Sequence, residues 1–426
     1  MKLNSIYLLA ISLLAIVPTL INAQENDFKY SLGGFAEIDH HSFFKEKEGM
    51  INSRNQNTVQ LELKSNLSDS YSFFSSIEFR NDFSDPDRNR VYLRETYIDL
   101  HSKKIDLRVG RQVILWGKAD GFNPTSNMTP IDYSDILDTD DEEIGIFALK
   151  SNFYLGDWEL QGVISPTFQS SIFPSTKSRW QGEYPDFINY NGINRPARFI
   201  REEVSMPENK FKDFQYGLRL SRNFNNIDFS VSYYQGWNDI PNTTSNVSLS
   251  GDTVNVSAQP NYYKHQVIGG DFSWVLGRYI LKGEGALFLP REIIQDEPYF
   301  QYVIGFERIF SNIIDDKNLF VIAQWIHEIK SNKVEYRGND FNHLFQRNLM
   351  TRIEMDINRD MKFSIQAIYA LKYEEFYIKP EIIYNISDGL NFSLMADFLG
   401  GNKEKDGFFS NYSDNSRLRA KLKYNF

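Results

Sequence analysis

The chain ends Arg417-Leu418-Arg419-Ala420-Lys421-Leu422-Lys423-Tyr424-Asn425-Phe426. Arg417, Arg419, Lys421 and Lys423 alternate with Leu418, Ala420, Leu422, Tyr424 and Phe426. A period of two with one apolar parity is an extended strand with one greasy face and one wet face. Working back from this end, the alternation recurs. Phe363, Ile365, Ala367 and Tyr369 face Lys362, Ser364 and Gln366, while Ile227, Phe229, Val231 and Tyr233 face Asp228, Ser230 and Ser232. Tyr71, Phe73, Ser75, Ile77 and Phe79 alternate with Ser72, Ser76, Glu78 and Arg80. No 3.6-residue stripe stands out.

About eighteen such segments are spaced like consecutive hairpins. They fall near 28–43, 54–67, 71–82, 91–101, 104–116, 144–154, 158–168, 212–223, 227–236, 263–276, 278–289, 298–310, 318–329, 342–357, 362–373, 376–386, 389–399 and 416–426. Nearly every second connection is tight, as at Ser68-Asp69-Ser70, Gly156-Asp157 and Ser387-Asp388. The others are mostly long and polar, notably 117–143, 169–211, 237–262, 330–341 and 400–415. Short turns on one rim and long loops on the other describe an all-β transmembrane antiparallel barrel of 16–18 strands. A secreted sandwich would alternate too. However, strands of ten or more residues match a tilted bilayer span, and a sandwich has no reason for the rim asymmetry. Aromatic residues near segment ends, such as Phe43, Tyr71, Tyr233, Tyr263 and Phe376, are where interfacial girdles would sit.

Composition agrees with that reading. The 426 residues include 34 Phe, 24 Tyr and 6 Trp, yet the mean hydropathy is −0.44. There are 46 basic and 56 acidic side chains, a formal charge of −10. That balance lacks the basic footprint of a nucleic-acid binder. The absence of cysteine excludes disulfides, CxxC metal or redox sites and a cysteine-linked lipid anchor. Residues 1–23 read as a cleaved signal peptide, with Lys2, an apolar Ile6–Ile21 and Ala23 before the cut. The remainder, 24–426, reads as one barrel domain carrying 45 basic and 56 acidic groups, or −11. The ending Tyr424-Asn425-Phe426 resembles the C-terminal signal of bacterial outer-membrane barrels, which implies Gram-negative export, the barrel-assembly machinery as a partner, and a surround of outer-membrane lipid and lipopolysaccharide.

A second resemblance rests on Leu93-Arg94-Glu95-Thr96-Tyr97, then Gly110-Arg111-Gln112, then Trp116-Gly117. It is similar to the LRE-x-Y…GRQ…WG signature of porin-like outer-membrane families, including phosphate-selective and alginate-export porins. It looks closest to a related, largely uncharacterised group in which Gly-Arg-Gln is followed by Trp-Gly. The match covers about 30 residues and implies that the Gly-Arg-Gln strand precedes a loop folding into the lumen, here 117–143. The lysine- and arginine-rich loop of the phosphate-selective type is absent, so phosphate is not implied.

If the apolar parity faces lipid, the other lines the lumen. Inward candidates are Arg80, Asp106, Arg108, Gln112, Arg219, Arg352, Glu354, Lys379, Glu381, Asp397, Arg417, Arg419, Lys421 and Lys423. Glu37 and Asp39 of the first strand would meet the last strand at closure. Such a lining sets up a transverse field that favours charged or dipolar solutes; equally, these groups could neutralise one another within a narrow barrel. Arg94 and Arg111 fall on the wrong parity, so a bulge or the rim must house them. The 117–143 connection carries Asp132, Asp135, Asp138, Asp140, Asp141, Glu142 and Glu143. These could repel anions, select cations or bind divalent ions, though a solvated loop face is the ordinary outcome and an EF-hand glycine is missing.

Enzymatic readings have little to stand on. His40-His41-Ser42 is the one hint of a nucleophile beside a base, and no HExxH, P-loop or dinucleotide fingerprint occurs. No cofactor or metal is expected. The sequence therefore points to passive or weakly selective diffusion of small polar solutes through a charged lumen. Two alternatives stay open: a barrel serving as scaffold for a surface ligand or partner, and a conduit for a polysaccharide or hydrophobic nutrient. Self-association is likewise open.

Overall fold

The computed structural model describes residues 29–138, 142–175, 177–182, 185–204, 206–291, 297–314, 317–330 and 340–426. The expected leader, 1–23, lies outside them. The strands, in chain order, begin with β1 (Lys29–Phe43), β2 (Ser53–Ser68), β3 (Tyr71–Asp82), β4 (Arg90–Leu100), β5 (Ile105–Gln112), β6 (Ile146–Leu155) and β7 (Trp158–Ser165). Next come β8 (Phe187–Tyr190), β9 (Ile193–Arg201), β10 (Gln215–Phe224), β11 (Ile227–Trp237), β12 (Asn242–Ser250), β13 (Thr253–Asn261), β14 (Lys264–Leu276) and β15 (Tyr279–Pro290). The series ends with β16 (Tyr299–Ile314), β17 (Lys317–Lys330), β18 (Asn348–Asp356), β19 (Met361–Ala370), β20 (Glu375–Ser387), β21 (Leu390–Gly401) and β22 (Arg417–Asn425).

Eighteen of these form one antiparallel sheet, each paired with the next along the chain. β22 pairs with β1, Arg417 opposite Phe43 and Asn425 opposite Phe35, and this closes the barrel. Closure leaves no sheet edge, which is what lets strands sit in a bilayer. Among the described residues no helix is long and apolar enough to cross a membrane, which says nothing about strands.

Each expected segment has its barrel strand, and two of these are much shorter than expected. The segment expected at 104–116 stops at Gln112 because its continuing backbone finds side-chain acceptors: Val113 N–H donates to Glu95 (2.8 Å) and Ile114 N–H to Thr129 (2.8 Å). The one expected at 342–357 begins at Asn348, after a single 3-10 turn at Phe341–His343. The long connections 169–211 and 237–262, expected to be loops, contribute a second sheet in the order β12-β13-β9-β8, with β13 parallel to β9. β12 reads NTTSNVSLS and is exposed over nearly all its length. Ladder hydrogen bonds rather than an apolar face hold it, so it carries no period-two hydropathy signal.

Outward residues of the wall are apolar and exposed, Leu418, Leu422 and Tyr424 among them. The inward wall is divided. Around β1–β4 and β21–β22 it is charged, as expected. Around β14–β19 apolar residues stand among the inward acids Asp271, Glu284, Glu307 and Glu328: Val267, Phe288, Val303, Ile326, Met350 and Ile368 are buried inside the barrel. Their cover comes from connecting segments: Ile114, Trp116 and Met128 pack on one part, and Leu137, Trp180, Phe408 and Phe409 on another.

Candidate functional site: the lumen and its inward segment

After Gln112 the chain enters the barrel and returns to the wall at Ile146. Gln112 itself is fully buried and donates to Ala148 O (2.9 Å). Gly110 has φ +138, and a Cβ on it would lie 2.2 Å from Thr96 O, so this strand crossing tolerates no side chain. Trp116 is buried and donates from Nε1 to Gln161 Oε1 (2.6 Å). Gly117, at φ +106, lies against the Glu284 carboxylate of β15. Glu284 accepts from Lys118 N (2.9 Å), Ala119 N (3.1 Å), Thr125 N (2.9 Å) and Thr125 Oγ1 (2.8 Å). One inward carboxylate thus satisfies the backbone of an irregular loop that would otherwise bury bare N–H groups. Glu375 of β20 does the same for the short helix α1 (Phe408–Asn411), accepting from Ser410 N at 2.8 Å.

The acids of the segment meet the cations of the wall. Asp135 binds Arg417 (2.6 and 3.1 Å) and Arg54 of β2 (2.6 Å). Asp138 binds Arg419 (3.0 Å), which also holds Asp39 of β1 (2.8 Å). Asp132 meets Arg80 (3.4 Å) and Arg90, and Glu142 meets Arg80 (3.2 Å) and Arg90 (3.6 Å). Arg417 reaches back through Nε to Asp397 (2.6 Å), to which Tyr377 also donates (2.8 Å). Asp132, Asp135, Asp138 and Glu142 are all buried, so the solvated-face expectation fails for them. Glu143 is partly exposed in a backbone bridge to Ile131; Asp140 and Asp141 lie outside the described residues.

Burial opposes charge on each of these carboxylates. At Asp135 the Arg417 and Arg54 guanidiniums outweigh it and hold the group well below the usual carboxylate range. Arg419 and Lys421 do so at Asp138, and Arg90, Arg80 and Arg88 at Asp132. At Glu142 burial wins over Arg80, and the carboxyl is raised well above its ordinary value.

The other inward candidates divide by depth. Arg80, Asp397, Arg417 and Arg419 are buried in the network, and Lys421 sits at its lower edge, 3.7 Å from Glu37. Lys423 lies 3.9 Å from Glu37 and over the Phe35 ring. Arg108 is held bidentately by Asp99 (2.7 and 2.9 Å) and stacks on Tyr97. Asp106 stays near the short-turn rim, accepting from Tyr154 (2.9 Å). Arg219 meets Asp271 (3.4 Å), Arg352 pairs with Glu354, and Ser364 donates to Glu381 (3.4 Å). Arg94 sits at a register shift between β3 and β4 that turns it inward onto Glu78 (3.1 Å). Arg111 keeps the outward parity, opposite Phe147, one residue before β5 ends. Tyr424 and Phe426 stand at the short-turn rim, the Phe426 backbone exchanging hydrogen bonds with Gly34.

Sequence reasoning missed Arg54, Arg88, Arg90, Glu284 and Glu375. For Arg54 the signal was present, since Arg54, Gln56, Thr58 and Gln60 share one parity of β2. His40 and His41 go to opposite faces: His40 bonds outward to Asn55 (2.7 Å), and His41 is buried between Asp39 and Arg54 (2.9 Å each). Among the described residues no group of three or more His, Asp or Glu is placed to hold a metal ion.

No curated protein matches the chain. Solved structures do, at low identity. Pseudomonas aeruginosa OccK11 (OpdR) aligns with a TM-score of 0.50 and 11% identity, over 94% of this chain and 96% of that one. The trimer form of in-vitro folded OmpT, an outer membrane protein of Vibrio cholerae, gives 0.45 and 8%, over 94% and 100%. A mutant of the Rh. blastica porin gives 0.45 and 9%, over 93% and 100%. The OccK11 likeness is one of fold, a porin-like antiparallel β-barrel. The family described as protein of unknown function (DUF1302) matches residues 37–296, more than half of the sequence, and the chain belongs to that family.

Proposed function

We propose that this barrel is an outer-membrane channel for small polar or charged solutes, with the segment 113–145 as its constriction. The observation that carries the reading is the seating of that segment inside the barrel, with four acids ion-paired to inward cations of β2, β3, β4 and β22. A solute passing the lumen meets both signs of charge at close range, where a dry wall strengthens the field. Export by a cleaved leader and insertion by the assembly machinery belong to the same reading. The test is single-channel recording of the refolded protein under a potassium chloride gradient. Steady steps with a cation-favouring reversal potential are expected, and a folded barrel that gives no steps would overturn it. The scaffold reading draws on the second sheet, whose β12 edge is exposed and uncharged and could add a strand from a partner.

A further inference from the structure

Beneath the inward segment lies a cavity of ≈ 470 Å³, within the 300–1,000 Å³ common for small-molecule sites. Its floor, formed by Phe35, Ile383 and Asn391, lies close to the short-turn rim, and its roof is Asp138, Glu142 and Glu143. Among the described residues the lining carries six carboxylates (Glu37, Glu78, Asp138, Glu142, Glu143 and Glu381) against four cations, Arg80, Arg94, Lys421 and Lys423. The cations are engaged: Arg80 with Glu78 and Glu142, Arg94 with Glu78, and both lysines with Glu37. Two carboxylates are left over. Among the described residues neither Glu143 nor Glu381 has an ion-pair partner, and Glu381 accepts only a 3.4 Å bond from Ser364.

Carboxylates facing a confined, partly dry space are stabilised by a cation brought in from outside. The neutral lining supplies the rest of a ligand shell: Gln56, Thr58, Asn391 and Ser393 offer amides and hydroxyls, and Phe35 and Ile383 a small apolar floor. Among the described residues the lining brings no three carboxylates together as a metal-ion site. A primary ammonium needs only two or three acceptors.

We propose that this cavity binds solutes of di- to tripeptide size through their ammonium group, held by Glu143 and Glu381, with Lys421 and Lys423 tolerating a carboxylate at the other end. The proposal names the solute class of the channel described above and rests on that reading for its transport role, though binding itself does not require conduction.

The experiment is calorimetric titration of the refolded full chain in detergent with tri-alanine, its C-terminal amide and its N-acetyl form. Free tri-alanine and the amide should bind, and acetylation, which removes the ammonium, should abolish the heat. Glu143→Gln with Glu381→Gln should weaken tri-alanine at least tenfold while leaving the barrel folded, since neither carboxylate holds an ion pair. Equal binding of the acetylated peptide, no heat from any form, or unchanged affinity in the double variant would overturn the proposal. Conductance of the same preparation separates the two readings. A conducting barrel without binding sinks the solute class alone, whereas binding without conductance upholds the site and sinks the channel.

Discussion

At Gly117 a Cβ would fall 2.4 Å from Glu284 Oε2, and the backbone is at φ +106. Either fact alone disfavours a side chain; together they make the Trp-Gly pair a seat for one carboxylate. Gly117→Ala should therefore cost about 1–3 kcal/mol through backbone strain and loosen the four hydrogen bonds to Glu284. Urea unfolding in detergent reads the loss, and a wild-type midpoint would show that Glu284 moves aside freely. Arg417 is a harsher case. It is fully buried between Asp135 and Asp397, so Arg417→Met leaves buried Asp397 without its guanidinium and Asp135 with Arg54 alone. The expected cost is roughly 3–5 kcal/mol, by the same assay. The motif residues Gly110, Gln112, Trp116 and Gly117 were legible as a pattern, but their reasons were not. Glu284, Ala148 and Gln161 lie far along the chain, and only closure of the sheet brings them to the motif.

The inward segment is held by charge, so its pH dependence follows from the direction of each shift. Asp132, Asp135 and Asp138 are lowered, so their contribution is present above the unfolded value near 3.9 and is lost as pH falls through their lower folded values. Glu142 is raised, so its contribution is fully present below about 4.3 and fades as pH rises through its folded value. Acidification from pH 7 to about 4 should therefore leave the segment seated, with release only below about 4. The emission of Trp116 and Trp180, both packed against the inner segments, would report it; unseating near pH 6 would contradict the ion-pair account. A second titration sits at the long-loop rim, where Ser171 donates to Asp239 and burial raises that carboxyl to about 6. Stability should fall as pH rises from about 4 to 6, and Asp239→Asn should remove that slope. The eighteen barrel strands were legible because lipid demands one apolar parity on each. β8, β9, β12 and β13 were not: β8 and β9 mix apolar residues with Asn and Arg, β12 is largely Ser, Thr and Asn, and the alternation of Val254, Val256 and Ala258 in β13 is short. The buried Val303, Ile322 and Ile326 were missed for another reason: they share the inward parity with Gln301, Glu307, Gln324 and Glu328, and alternation cannot say that an inner segment covers them.

Across the whole barrel the interior has two characters, and the inward segment matches both. Its acids lie on the charged arc of β1–β4 and β22, while Ile114, Trp116, Met128 and Leu137 join apolar clusters spread over the arc from β6 to β21. Such a segment is seated by two unlike forces, and removing one should not unfold the barrel, whose ladder hydrogen bonds are independent of it. Asp132→Asn, Asp135→Asn and Asp138→Asn in one chain would remove three negative charges from beside Arg54, Arg80, Arg417 and Arg419, leaving them only their wall and Glu142 partners. The lumen should then admit water and ions at that arc, and single-channel conductance should rise several-fold. Uncovering Arg54, Arg80, Arg417 and Arg419 should also swing the reversal potential from cation- toward anion-favouring. The two readouts test different statements. A conductance rise without a change of sign would mean that the segment obstructs the lumen but does not set its selectivity. A change of sign at constant conductance would place the filter at these acids while the narrowest passage lies elsewhere. If neither moved in a folded triple variant, ions would be crossing along a path that the segment does not touch, and its role as constriction would fail.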